Sequence, residues 1–158
     1  MIYLGLGSNL GDKRGNISRA VSLIVERAGE ALVVSALYET PPWGFESKES
    51  FINIALGIST DLSPEDLLHC TQQIECDMGR TGKSIDGVYH DRPVDVDILL
   101  YDDIVMQSPT LVIPHPLLHY RLFVLQPLAE IAPDLIHPVL GKSIAEILQT
   151  VSKIEKNN

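Results

Sequence analysis

Arg92-Pro93-Val94-Asp95-Val96-Asp97-Ile98-Leu99-Leu100-Tyr101 is an apolar, β-branched run with two acids set two residues apart. Such a run reads as a buried strand, and side chains on a strand alternate faces. Asp95 and Asp97 are therefore expected on one side, with Val94, Val96, Ile98 and Leu100 on the other. Two neighbouring carboxylates at the end of an apolar strand repel each other unless a cation lies between them, and Mg²⁺ takes carboxylate oxygen. The pair is a candidate metal site. The competing reading is a solvated strand end with both acids facing water.

Upstream of this strand the pattern alternates between strand and helix. Ile2 to Leu6 is short and apolar, and Gly7-Ser8-Asn9-Leu10-Gly11-Asp12 turns into a segment with apolar residues at 17, 20, 21, 24 and 28, the period of an amphipathic helix. Gly29 is expected to end that helix. Ala31 to Tyr38 and Phe51 to Ser59 read as two further strands, separated by a loop with Pro41, Pro42 and Gly44. Ser63 is a good N-cap, Pro64 suits the first helical position and Asp66 the first turn, which predicts a helix to Met78 with Gly79 as its stop. Leu67, Leu68, Thr71, Ile74 and Met78 form its inward stripe.

The order is thus βαββαβ, and the expected fold class is α+β. A four-stranded antiparallel sheet with both helices on one face, the ferredoxin-like arrangement, satisfies it. The C-terminal segments are expected to cover the other face. Arg121 to Ala132 is apolar with helical spacing broken at Pro127, and Ser143-Ile144-Ala145-Glu146 is a capping box opening a last helix. Lys153 to Asn158 is expected to fray.

At 158 residues and 45% hydrophobic content the chain suits one core, so residues 1–158 are read as a single domain. A formal charge of -9 with no Lys/Arg-rich run excludes a nucleic-acid backbone as partner. Cys70 and Cys76 share one helix about 9 Å apart along its axis, too far for a disulfide, and are read as free thiols of a reducing compartment. No basic leader stands at Met1 to Gly5, and no apolar run approaches a membrane span of about 18 residues. A cytoplasmic monomer acting on small molecules is expected.

Familiar nucleotide fingerprints are absent. Gly5-x-Gly7 followed by Gly11 has the wrong spacing for a dinucleotide turn, and Gly82-Lys83-Ser84 lacks the earlier glycine of a P-loop. Arg80, Lys83 and Arg92 instead bracket the loop that leads into the Asp-bearing strand, where they could converge on whatever the metals hold. A polyphosphate fits that combination; surface pairing with Asp77, Asp86 and Asp91 is the alternative. Gln72 and Glu75 lie three apart on one helix face, off the apolar stripe, facing either solvent or a nucleotide. His115, fixed between Pro114 and Pro116, suits a phosphate contact or a proton relay, or else a plain turn. His69, His90, His119 and His137 have no ligand spacing, so zinc is not expected. Thr40-Pro41-Pro42-Trp43 with Phe51, Asn53 and Phe123 combines aromatic faces with an amide for a heterocycle's edge, or closes over the core.

Gly7-Ser8-Asn9-Leu10-Gly11-Asp12, Tyr38-Glu39-Thr40-Pro41-Pro42, Phe51-Ile52-Asn53, Gln72-Gln73-Ile74-Glu75, Gly79-Arg80, Arg92 to Leu99, Ile113-Pro114-His115-Pro116 and Arg121 to Pro133 resemble, in order, the motifs of 6-hydroxymethyl-7,8-dihydropterin pyrophosphokinases of folate biosynthesis. The likeness runs from Ile2 to Val151. It implies a ferredoxin-like core and Mg-dependent transfer of the β,γ-pyrophosphate of ATP to the pterin hydroxymethyl oxygen, releasing AMP. It implies two Mg²⁺ ions on Asp95 and Asp97, with Arg80 and Arg92 as catalytic arginines of a loop. Gln72, Glu75, Ile98, His115 and Arg121 are then further ATP contacts, with Ile98 beside the adenine. Thr40, Pro41, Pro42, Phe51, Asn53, Asp95 and Phe123 resemble the pterin pocket.

Several positions depart from the family pattern: Val88, Tyr89, His90 and Asp91 ahead of Arg92, and Pro116 after the histidine. The segment from Arg80 to Arg92, with pliable points at Gly79, Gly82 and Gly87, is expected to act as a lid. The rival from another class is a ligand-binding module without chemistry, since ferredoxin-like sheets also serve as sensors.

Overall fold

The computed structural model describes residues 1–40, 50–79 and 93–156. Expectations placed on Pro41, Pro42, Trp43, Arg80, Lys83, Tyr89, His90 and Arg92, and on the lid, lie outside the described residues.

The elements run β1 (Ile2–Ser8), α1 (Lys13–Arg27), β2 (Gly29–Val34), β3 (Tyr38–Thr40), β4 (Phe51–Thr60), α2 (Pro64–Asp77), β5 (Asp95–Tyr101), β6 (Met106–Gln107), β7 (Val112–Ile113), α3 (Leu122–Ile131) and α4 (Ile144–Lys156). The main sheet has the order β2-β4-β1-β5, with β3 also paired to β4, and every pairing is antiparallel. With β2 and β3 counted as one interrupted strand, this is the ferredoxin-like order. β6 and β7 form a separate small hairpin.

Alternation along the strands separates two cores. Ile2, Leu4 and Leu6, Ile52 to Ile58 at even numbers, and Val94, Val96 and Ile98 pack with Ile17, Ala20 and Ile24 of α1 and Leu67 and Ile74 of α2. On the other face Tyr3, Ala55 and Leu99 pack with Leu125 and Leu128 of α3 and Ile144 and Ile147 of α4. The C-terminal helices cover the second face as expected, and among the described residues one end of that face is left open.

Helix ends follow the sequence closely in three places. Ser63 accepts the Asp66 N–H at 3.2 Å, and Gly79 follows α2 with φ +107°, a backbone glycine adopts without strain. Ser143 accepts the Glu146 N–H at 3.1 Å, the expected cap, and donates its hydroxyl to the Glu146 carboxylate at 3.1 Å.

Five expectations are corrected. Gly29 opens β2 instead of stopping α1, which is capped at Ala28. A Cβ at Gly29 would lie 2.0 Å from the Ser59 carbonyl oxygen, so close strand approach is what requires glycine there. The single strand from Ala31 to Tyr38 is two strands, because at Ser35 the side-chain hydroxyl accepts the Ala55 N–H at 2.9 Å. Leu100 lies on the same face as Leu99: Leu4 pairs with Ile98 and Tyr3 with Leu100, leaving Leu99 as an extra residue in β5. Pro127 does not break α3, which continues through it at the expense of one hydrogen bond to the Phe123 carbonyl. Finally, α4 continues to Lys156 instead of fraying from Lys153.

Candidate active site

The open end of the second sheet face forms a cleft of about 370 Å³. Its floor is β1, where Gly5 and Gly7 fall on the cleft side; β5 contributes Asp95, Asp97 and Leu99, and β4 with β3 contributes Phe51, Asn53 and Thr40. Arg121, Phe123 and Val124, at the start of α3, close the remaining side. Strand alternation thus brings Asp95 and Asp97 to one face as expected. Gly7 pairs with Asp95 on one side and with Asn53 on the other, so the acids and the amide flank the same strand.

Asn53 is 7% exposed and donates from Nδ2 to the Thr40 hydroxyl at 3.3 Å. Arg121 lies with its guanidinium carbon 5.4 Å from the Phe123 ring centroid, a cation–π arrangement that holds both residues at the rim. Among the described residues, no three His, Cys, Asp or Glu side chains converge as a ready metal cage. The acid pair matches Mg²⁺ all the same, since that ion is commonly held by one or two carboxylates with water and phosphate oxygen completing its shell.

His115 lines a second cavity, of about 560 Å³, and not the cleft. Its Nδ1 accepts the Leu117 N–H at 3.1 Å, which leaves the proton of the neutral ring on Nε2. Burial pushes its pKa below the ordinary value, Arg121 adds to the fall and the Asp97 charge opposes it, so His115 is within electrostatic reach of both cleft residues.

Three further expected nucleotide contacts stand away from the cleft. Gln72 is exposed on α2. Glu75 is 5% exposed, not solvated on a face shared with Gln72, and its carboxylate accepts the Val96 N–H at 3.1 Å. The Ile98 side chain is 4% exposed in the core under α1 and α2, on the sheet face opposite Asp97. Gly5, Leu99 and Val124 are cleft residues that the sequence reading missed; alternation along β1 from Tyr3 was the signal that could have found Gly5.

Residues 3–133 match the family model described as 7,8-dihydro-6-hydroxymethylpterin-pyrophosphokinase (HPPK). The chain belongs to this family. A 2-amino-4-hydroxy-6-hydroxymethyldihydropteridine pyrophosphokinase of Porphyromonas gingivalis is 50% identical over 139 residues, covering 87% of this chain and 94% of its own length. The enzyme of that description from Bacillus subtilis is 44% identical over 130 residues, covering 82% and 76%. A Plasmodium falciparum HPPK-DHPS crystal structure superposes with a TM-score of 0.77 over 99% of this chain at 17% identity, and there the chain spans 44% of the other's length. That likeness supports the fold alone. Family membership makes the activity the pyrophosphokinase step of folate synthesis and sets aside the sensor reading.

Proposed function

We propose that this chain, acting as one domain, transfers the β,γ-pyrophosphate of ATP to 6-hydroxymethyl-7,8-dihydropterin in the cleft above β1. The pterin ring lies between Phe51 and Phe123, with the Asn53 amide on its hydrogen-bonding edge and Thr40 holding that amide. Pro41 and Pro42 are assigned to the pterin pocket on their sequence pattern. Asp95 and Asp97 hold two Mg²⁺ ions, which when bound neutralise the triphosphate and favour attack at the β-phosphorus.

The protein's task is placement. The pterin hydroxymethyl oxygen forms a bond to the β-phosphorus, the bond from that phosphorus to the α,β-bridging oxygen breaks, and AMP leaves with the bridging oxygen while the hydroxyl proton is released. Such an in-line transfer gains from positioning and charge neutralisation and needs no covalent enzyme intermediate. Arg121, steadied on Phe123, and the Nε2–H of His115 are donors for phosphate oxygen. Arg80 and Arg92 are assigned to the triphosphate on their sequence pattern. Ile98 would act through its backbone: it shares the parity of Val96, whose N–H turns away from β1 to Glu75, which would turn the Ile98 N–H away from β1 for an adenine. Gln72 reaches the nucleotide from α2, and Glu75 shapes its site by fixing that edge.

The observation that carries this reading is that Asp95 and Asp97 open into the same cleft as Phe51, Asn53, Arg121 and Phe123. Incubation with ATP, Mg²⁺ and the reduced pterin tests it: AMP should appear in step with pterin diphosphate. ADP in its place, or no nucleotide product, would contradict it.

A further inference from the structure

Gly7 and Asn53 are directly opposed across β1 and β4 on the cleft face. Glycine in a strand interior weakens the strand, so its presence calls for a reason. One such reason is a left-handed backbone, yet the positive-φ glycines among the described residues are Gly11, Gly79 and Gly141. Another is close approach of a neighbouring backbone, but the nearest backbone atom to a Cβ built on Gly7 is the Ile52 carbonyl oxygen at 3.8 Å, an ordinary contact. What that Cβ does meet is the Asn53 side chain, with Oδ1 at 2.8 Å.

Asn53 is therefore held from two directions. Its Nδ2 spends one hydrogen on the Thr40 hydroxyl at 3.3 Å, while Oδ1 lies over the bare Cα of Gly7. The second Nδ2 hydrogen and Oδ1 remain to pair with a ring edge that offers an acceptor beside a donor. We infer that Gly7 is a positioning residue for substrate recognition, because its missing side chain lets the Asn53 amide lie flat against β1 at the height of a heterocycle seated in the cleft. This rests on the pterin reading of the cleft and adds to it the residue that sets the angle of the reading amide.

A methyl at Gly7 costs the fold little, since the atom it meets is the far end of a rotatable side chain. The amide must then shift by several tenths of an ångström and tilt, which spoils two hydrogen bonds to the ring at once. Misplacements of about 1 Å at a reacting site cost on the order of a hundredfold, and a smaller shift in a binding group is expected to cost on the order of tenfold.

Steady-state kinetics and thermal unfolding of Gly7→Ala, Asn53→Ala and the double variant test the inference. Gly7→Ala should raise the pterin KM on the order of tenfold, with the ATP KM and Tm near wild type and kcat at saturating pterin within about threefold. In the Asn53→Ala background the same change should add nothing, because the group it displaces is gone. Additive effects, or an unchanged pterin KM in Gly7→Ala beside a raised one in Asn53→Ala, overturn the positioning role and leave the pterin cleft standing. An unchanged pterin KM in Asn53→Ala overturns both. Should Gly7→Ala unfold easily, recovery of Tm in the double variant supports the inference, and no recovery assigns Gly7 to the strand backbone and overturns it.

Discussion

The Ser8 hydroxyl donates to the Pro93 carbonyl at 2.6 Å across 85 residues of sequence. Ser8 ends β1, Pro93 stands two residues before Asp95, and the Asn16 amide reaches Ser8 Oγ and Pro93 O at 3.3 Å each and the Leu10 carbonyl at 2.8 Å. The loop after β1 and the first turn of α1 are thereby fastened to the start of β5. Where Asp95 begins is set by this junction as much as by the β1–β5 ladder.

Ser8→Ala is expected to lower stability by about 1–2 kcal/mol, since a half-buried carbonyl loses its shortest donor, which corresponds to a Tm fall of roughly 2–8 °C for a chain of this size. The same variant should need more Mg²⁺ for half-maximal activity. Unfolding curves and a Mg²⁺ titration check the two effects, and an unchanged Mg²⁺ dependence would separate the junction from the acid pair.

Glu75→Ala should cost about 1–3 kcal/mol by leaving the Val96 N–H at the β5 edge without its carboxylate partner. Glu75→Gln keeps an amide oxygen as acceptor and should cost less than half as much. Denaturant unfolding of the two variants decides; equal costs would show that charge, and not the edge hydrogen bond, is what matters at this position.

Tyr38 donates to Glu130 Oε1 at 2.6 Å, and the other carboxylate oxygen accepts the Ala36 N–H at 3.0 Å, so Glu130 ties α3 to the segment that leads into β3. The Glu130 hydrogen bond, helped by burial, pushes the Tyr38 phenol up to about 12. A folded-state pKa above the ordinary 10.0 means that the folded protein holds the proton more tightly. This contribution is fully present below pH 10 and is lost as pH rises through 12. Tyr38→Phe should be less stable than wild type at neutral pH, and the difference should shrink over that alkaline window. A constant difference up to pH 12 would exclude the linkage.

Much of this was legible in the sequence because hydrophobic contrast was high. Asp95 and Asp97 interrupt an apolar run, so their shared face follows from a period of two, and Ser63, Gly79 and Ser143 mark helix ends by local chemistry. The contrast vanishes at Leu99-Leu100, where both sheet faces are covered and either side chain suits either side, which hides the extra residue in β5. For Glu75 the sequence leaves solvent and a nucleotide both open, because helical spacing alone does not show that a strand edge lies beside it. Gly29 looked like a helix stop because the need for it comes from Ser59, thirty residues further on.

Gly29→Ala should destabilise the fold by more than about 2 kcal/mol, because the added Cβ would meet the backbone of Ser59 and not a movable side chain. Gly7→Ala, whose Cβ meets the Asn53 amide, should be far milder. Parallel thermal unfolding of both variants tests this ordering, and a reversed order would contradict it.

The most direct test of the acid pair is AMP formation by Asp97→Ala over a range of Mg²⁺ concentrations, alongside circular dichroism of the variant. If Asp95 and Asp97 hold the metal that grips the triphosphate, turnover should fall by on the order of a hundredfold or more at saturating Mg²⁺ while the fold is unchanged. Wild-type turnover in Asp97→Ala at saturating Mg²⁺ would contradict the account.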